Sequence, residues 1–155
     1  MSTSSKKSER AKEALLAFSP RPEDTRASLC IYKDDLDPEK ITALLDLKPT
    51  AWQRKGGNRP GTTEAGSKSP AATGGWFLST NAKVKSLNPQ NHIEWLVEAI
   101  ENRHSVIHSL QKDGHKIELW VYWLASNSNA SPCLSPETMR KLANLRIPIV
   151  FDVYF

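Results

Sequence analysis

The sequence predicts an α+β fold in which one β-α-β unit occurs twice around a four-stranded antiparallel sheet. Three observations carry this expectation. Leu29-Cys30-Ile31-Tyr32, followed by Leu36-Asp37-Pro38-Glu39, is echoed by Leu119-Trp120-Val121-Tyr122, followed by Leu134-Ser135-Pro136-Glu137. The strand quartets are offset by 90 positions and the Leu-x-Pro-Glu quartets by 98, a difference of loop length. Strand-like alternation then recurs around Trp76 and at the C-terminus, and a long helical periodicity lies between the two copies.

Taken in order, residues 1–24 read as a flexible tail, polar at first and then Ser19-Pro20-Arg21-Pro22. Ala11 to Phe18 is too short to hold a helix without a partner surface. A single α+β domain is expected over residues 25–155. From Arg26 to Lys33, Ala27, Leu29 and Ile31 alternate with Ser28, Cys30 and Tyr32. Asp37-Pro38-Glu39 starts a helix: Asp at the N-cap, Pro at the first helical position, an acid facing the dipole. Ile41, Leu44 and Leu45 share its apolar face, and Lys48-Pro49 ends it.

A long loop at about 53–75 holds Gly56-Gly57, Pro60-Gly61, Gly66, Pro70 and Gly74-Gly75. Trp76 to Ser79 is the second strand. A long helix starting near Pro89 carries Ile93, Leu96, Val97, Ile100, Ile107 and Leu110, with a bend at Asn102 compatible with that spacing. Gly114 closes it. Lys116 to Ala125 is the third strand, Ser135-Pro136-Glu137 opens the last helix, and Ile149 to Phe155 is the fourth strand. This order predicts a ferredoxin-like sandwich with the extra long helix inserted between the halves. The inserted helix is expected to bury its stripe on the sheet's second face, making the aromatics there a second core.

Composition is that of a globular protein, 39% hydrophobic and 25% charged, with a net charge of +4. The first twenty residues lack a secretory apolar core, and no run reaches the ~20 residues of a membrane span, so a cytoplasmic location is expected. Cys30 and Cys133 suit reduced thiols. Residues 48–85 carry seven basic groups against Glu64 alone, concentrating the positive charge in one connecting segment.

Four constellations could carry chemistry. Cys30, Tyr32, Trp120 and Tyr122 fall on one sheet face, flanked by Asp152 and Tyr154, where aromatics could stack bases. Trp52, Arg54, Lys55, Arg59, Lys68 and Trp76 place basic groups beside tryptophans, suited to an acidic protein surface or to nucleic acid. The alternative for that loop is tryptophans in the core and charges that keep it soluble. His104 and His108 lie one turn apart, but neither a zincin glutamate nor a third ligand accompanies them. Asp152 could act as a base or pair with an arginine. Cys30 sits mid-strand, where nothing lowers its pKa. No catalytic set, metal site or cofactor is expected.

Leu36-Asp37-Pro38-Glu39, Leu45-Asp46-Leu47-Lys48-Pro49-Thr50 and Arg54-Lys55-Gly56 resemble the opening block of a bacterial family catalogued as domain of unknown function 4279. Ile93-Glu94-Trp95-Leu96, Leu134-Ser135-Pro136-Glu137 and Phe151-Asp152-Val153-Tyr154-Phe155 resemble its later blocks. The likeness runs from about Ala27 to the C-terminus and excludes the insert after Gly57. It implies no activity.

The expected function is a non-catalytic interaction module, of the immunity type that binds and neutralises a toxin. Its partner would be a protein with an acidic surface. The expected partner-binding residues are Trp52, Arg54, Lys55, Arg59, Lys68, Trp76, Trp120, Tyr122, Asp152 and Tyr154. The alternative is a nucleic-acid or small-ligand binder using the aromatic face and the basic loop.

Overall fold

The computed structural model describes residues 22–60, 69–125 and 132–155. In chain order they form β1 (Asp24–Lys33), α1 (Pro38–Leu45), β2 (Ala51–Gln53), β3 (Gly74–Ser79), α2 (Pro89–Ile100), a 3-10 turn (Glu101–Arg103), α3 (His104–Lys112), β4 (Lys116–Leu124), α4 (Pro136–Leu145) and β5 (Ile149–Tyr154). The tail's residues 1–21, the middle of the long loop and the loop after Ala125 lie outside the described residues.

The doubled unit recurs in the caps. Asp37 accepts a hydrogen bond from the Glu39 amide at the start of α1, and Ser135 accepts one from the Thr138 amide at the start of α4. Each helix ends on a left-handed residue, Asp46 (φ 51°) or Arg146 (φ 55°). The next residue, Leu47 or Ile147, then returns its amide to the carbonyl of Thr42 or Leu142. Both caps are local, which is why four residues could announce each helix.

The sheet differs from the expected one. Five strands run in the order β2-β3-β1-β4-β5, and the sheet is mixed. β1 pairs antiparallel with β3 and β4, and β2 antiparallel with β3, but β4 and β5 are parallel. β1-α1-β2 is thus a split unit with β3 in its gap, whereas β4-α4-β5 brings its strands side by side. The physical reason is occupancy. β3 and β4 fill both flanks of β1, so the strand after α4 docks on β4, and a crossover helix delivers it parallel. The missed strand, Ala51–Gln53, is the counterpart of β5.

Gly74 and Gly75 open β3 rather than belonging to the loop. A Cβ on Gly74 would stand 2.6 Å from the Lys33 carbonyl oxygen, so only glycine permits this approach. The long helix is two helices, broken at the 3-10 turn, where Ile100 and Arg103 leave helical geometry (φ −120° and −114°).

One apolar cluster joins Ala27, Leu29, Ile31, Trp76, Leu78, Leu119 and Val121 of the sheet to residues of all four helices. Ile93, Leu96, Val97 and Ile100 of α2 belong to it, and α2 packs on β1, β4 and α4. The expectation that the inserted helix would cover the second face is therefore wrong. That face carries Asp24, Arg26, Glu118 and Asp152, whose charged groups would lose water beneath an apolar helix.

Two buried polar contacts fasten the helices in place. Gln90 donates to Thr138 Oγ1 (2.6 Å) and accepts from the Ser135 amide (3.2 Å), tying the start of α2 to that of α4. His92 links the loop before α2 to β1 through Thr80.

Candidate functional site

Among the described residues no helix packs on the second sheet face, whose side chains range from buried (Cys30, Glu118) to exposed (Trp120, Tyr154). Across β3, β1, β4 and β5 it presents Phe77, then Tyr32, Cys30, Ser28 and Arg26, then Glu118, Trp120 and Tyr122, then Val150, Asp152 and Tyr154. Alternation in β1 and β4 had assigned Cys30, Tyr32, Trp120 and Tyr122 to this face, and they lie there.

The aromatics fall into two groups. Tyr32 and Phe77 meet edge to face, their centroids 5.5 Å apart. Tyr122 and Tyr154 lie 5.4 Å apart, with the Arg26 guanidinium 4.0 Å above the Tyr122 ring. Tyr154 donates its hydroxyl to Asp152 Oδ2 at 3.2 Å, and this hydrogen bond raises the phenol pKa. Between the groups stands Glu118, which is buried. It accepts from Trp120 Nε1 (3.0 Å) and pairs with Lys116 Nζ (2.8 Å). Burial opposes its charged form, but the Lys116 and Trp120 hydrogen bonds outweigh that and lower its pKa. Arg26, Glu118 and Phe77 were not singled out from the sequence, although each stands at the correct parity on its strand.

Cys30 is buried beside Glu118. Burial pushes its thiol up to about 11, with the negative charge of Glu118 adding to the effect. A raised pKa keeps the thiol protonated, and so unreactive, through the neutral range. At about pH 8, iodoacetamide is expected to modify exposed Cys133 and spare Cys30 in the folded protein. Mass spectrometry of the labelled peptides checks this, and equal labelling of both cysteines would contradict it.

The loop residues are placed differently. Trp76, expected at the partner surface, is fully buried and donates from Nε1 to Thr42 Oγ1 (3.0 Å), so it anchors the core. Its cross-strand neighbour Trp52 is 50% exposed, on the helix side of the β2 edge. Trp52 walls a cleft of about 700 Å³ between α1 and β2.

Arg54 donates to Glu39 Oε2 (2.6 Å) and contacts Asp37 (3.5 Å), while Lys55 pairs with Asp34. These cations are matched by acids of the β1–α1 segment, and both arms of the loop are joined by Gly56–Ala71 and Ala71–Gly57 backbone bonds. Arg59 is exposed, and Lys68 lies outside the described residues. The nine expected contact residues that are described therefore do not form one surface. Trp120, Tyr122, Asp152 and Tyr154 sit together at the β4–β5 end. Trp52, Arg54 and Lys55 lie toward the opposite edge, across strands spaced about 4.8 Å apart.

His104 and His108 sit on α3 with ring centroids 6.5 Å apart, and His108 Nε2 donates to the Asn144 carbonyl (3.1 Å). No helix among the described residues is long and apolar enough to cross a membrane.

No curated protein and no solved structure matches the chain. The model of one family, described as Domain of unknown function (DUF4279), matches residues 23–155, and the chain belongs to that family.

Proposed function

We propose that the protein is a non-catalytic interaction module that docks a partner protein on the Trp120–Tyr122–Tyr154 end of its open sheet face. The observation that carries this reading is a face that no described helix covers, with exposed aromatics, Trp120 at 38% and Tyr154 at 49%, beside Arg26 and Asp152. Exposed aromatics flanked by charges of both signs are the usual makings of a protein contact.

The nucleic-acid reading has less in its favour. A phosphate backbone asks for a surplus of cations. The face offers Arg26 and Lys116 against Asp24, Glu118 and Asp152, and Arg54 and Lys55 are engaged by carboxylates. The toxin-neutralising role is a narrower form of the same proposal. It requires that the captured partner be a toxin and that its activity be lost in the complex.

The test compares the wild-type chain with a Trp120→Ala/Tyr154→Ala variant in affinity capture from the native host. The expected result is a protein held by the wild type and released by the folded variant. Capture indifferent to the two substitutions, or salt-sensitive binding to oligonucleotides instead, would overturn the proposal.

A further inference from the structure

We infer that β5 is a self-association edge, pairing antiparallel with β5 of a second copy so that two sheets become one. Of the two sheet edges, β2 is three residues long and runs directly into Arg54 and Lys55. β5 is six residues long and contains neither lysine nor proline, the residues that normally discourage edge pairing.

Its outward backbone is identifiable from its inward bonds. The Pro148 and Tyr154 carbonyls accept from the amides of Leu119 and Ala125 at 3.0 and 2.8 Å. Even-numbered residues thus turn their backbone groups to β4. Ile149, Phe151 and Val153 turn theirs outward, where no described strand meets them. Their side chains add apolar surface to that edge, Phe151 at 39% and Val153 at 38% exposed, with Phe155 at 82% beyond them.

A second copy fits this edge because the strand is complementary to itself. Two-fold pairing centred on Phe151 or on Val153 sets outward backbone against outward backbone and apolar side chains against apolar ones. In the first register Asp152 faces Val150 of the other copy, and in the second it faces Tyr154 of the other copy. The tyrosine hydroxyl already bonds Asp152 within one chain at 3.2 Å, so that pair is chemically matched. Neither register opposes carboxylate to carboxylate. A register centred on Asp152 would do so, and like charges directly opposite disfavour it. Closed two-fold symmetry then follows without a further surface. The pairing would also place the two open aromatic faces side by side on one platform.

The experiment is sedimentation equilibrium of the full chain over a wide concentration range, with amide exchange followed in parallel. A concentration-dependent dimer is expected, with the Phe151 and Val153 amides exchanging more slowly as concentration rises. Val153→Pro removes one outward amide and leaves the bonds to β4 in place, so it is expected to weaken the dimer at least about tenfold. Phe151→Lys tests the same edge through a side chain, should the proline variant fail to fold.

A monomer at every concentration, or a dimer indifferent to both substitutions, overturns the inference. So does a monomer whose Phe151 and Val153 amides are protected throughout, since the edge is then covered by the chain itself. None of these outcomes depends on finding the partner of the aromatic face. Failure here and failure of the interaction-module reading are therefore read separately.

Discussion

Replacing Trp76 with alanine is expected to cost about 3–5 kcal/mol of stability, the range for emptying a large aromatic site in a core. Trp76 is fully buried in the cluster that joins β1 and β3 to α1, and its Nε1 donates to Thr42 Oγ1 at 3.0 Å. Truncation removes the ring, leaves a cavity that packed helices can only partly fill, and strips the threonine hydroxyl of its partner. A whole domain is stable by only about 5–15 kcal/mol, so the loss is a large fraction of the total. At roughly 2–4 °C per kcal/mol for a chain of this size, Tm should fall by about 10 °C. Trp52→Ala is the control. Trp52 stands opposite Trp76 on β2 but is 50% exposed, so its removal should stay within about 0.5–1 kcal/mol. Thermal melts of the two variants check the contrast. Equal effects would mean that Trp52 shares the anchoring role.

Replacing His92 with leucine is expected to cost about 2–4 kcal/mol, although the substitution adds apolar surface in a buried place. The ring is 1% exposed and uses both nitrogens. Nε2 lies 2.8 Å from the Ser86 carbonyl, which can only accept, so Nε2 carries the proton. Nδ1 lies within hydrogen-bond distance of Thr80 Oγ1, at 2.6 Å, and that hydroxyl also stands 3.2 Å from the Ala27 carbonyl, to which it donates. The same threonine oxygen receives the Ala27 amide at 2.9 Å, so the histidine anchors α2 to β1 through one hydroxyl. Leucine would take the partner from the part-buried Ser86 carbonyl and unsettle the buried Thr80 hydroxyl, and desolvated groups without partners cost more than the methyls return. Denaturant unfolding of the variant measures this. A change below about 0.5 kcal/mol, the size of an ordinary surface effect, would show that water replaces the ring.

His92 also shows how far the chain could be read. In the sequence it is one isolated histidine near a helix start, and nothing adjacent announces Thr80 or Ser86 as its partners. The same holds for Arg54 and Lys55. Their charge was evident, but the carboxylates of Asp34, Asp37 and Glu39 that engage them arrive from a different segment. The open face was partly legible. Alternation placed Trp120 and Tyr122 on it, and the charges of Arg26 and Glu118 at the same parity were the overlooked sign that no apolar helix would cover it.

The sequence by itself determined what depends on neighbours within a few residues. It specified both Pro-Glu helix starts, the apolar and polar sides of β1 and β4, and the doubling of the β-α-β unit. Only the tertiary structure decided what depends on competition among distant segments. It set β5 parallel beside β4, put β3 into the gap of the first unit, gathered all four helices on one face, and turned Trp76 inward and Trp52 out. The physical reason is that capping bonds and side-chain parity are set by the local backbone. Strand order and face coverage are set by which long-range pairing buries the most apolar surface without stranding a charge.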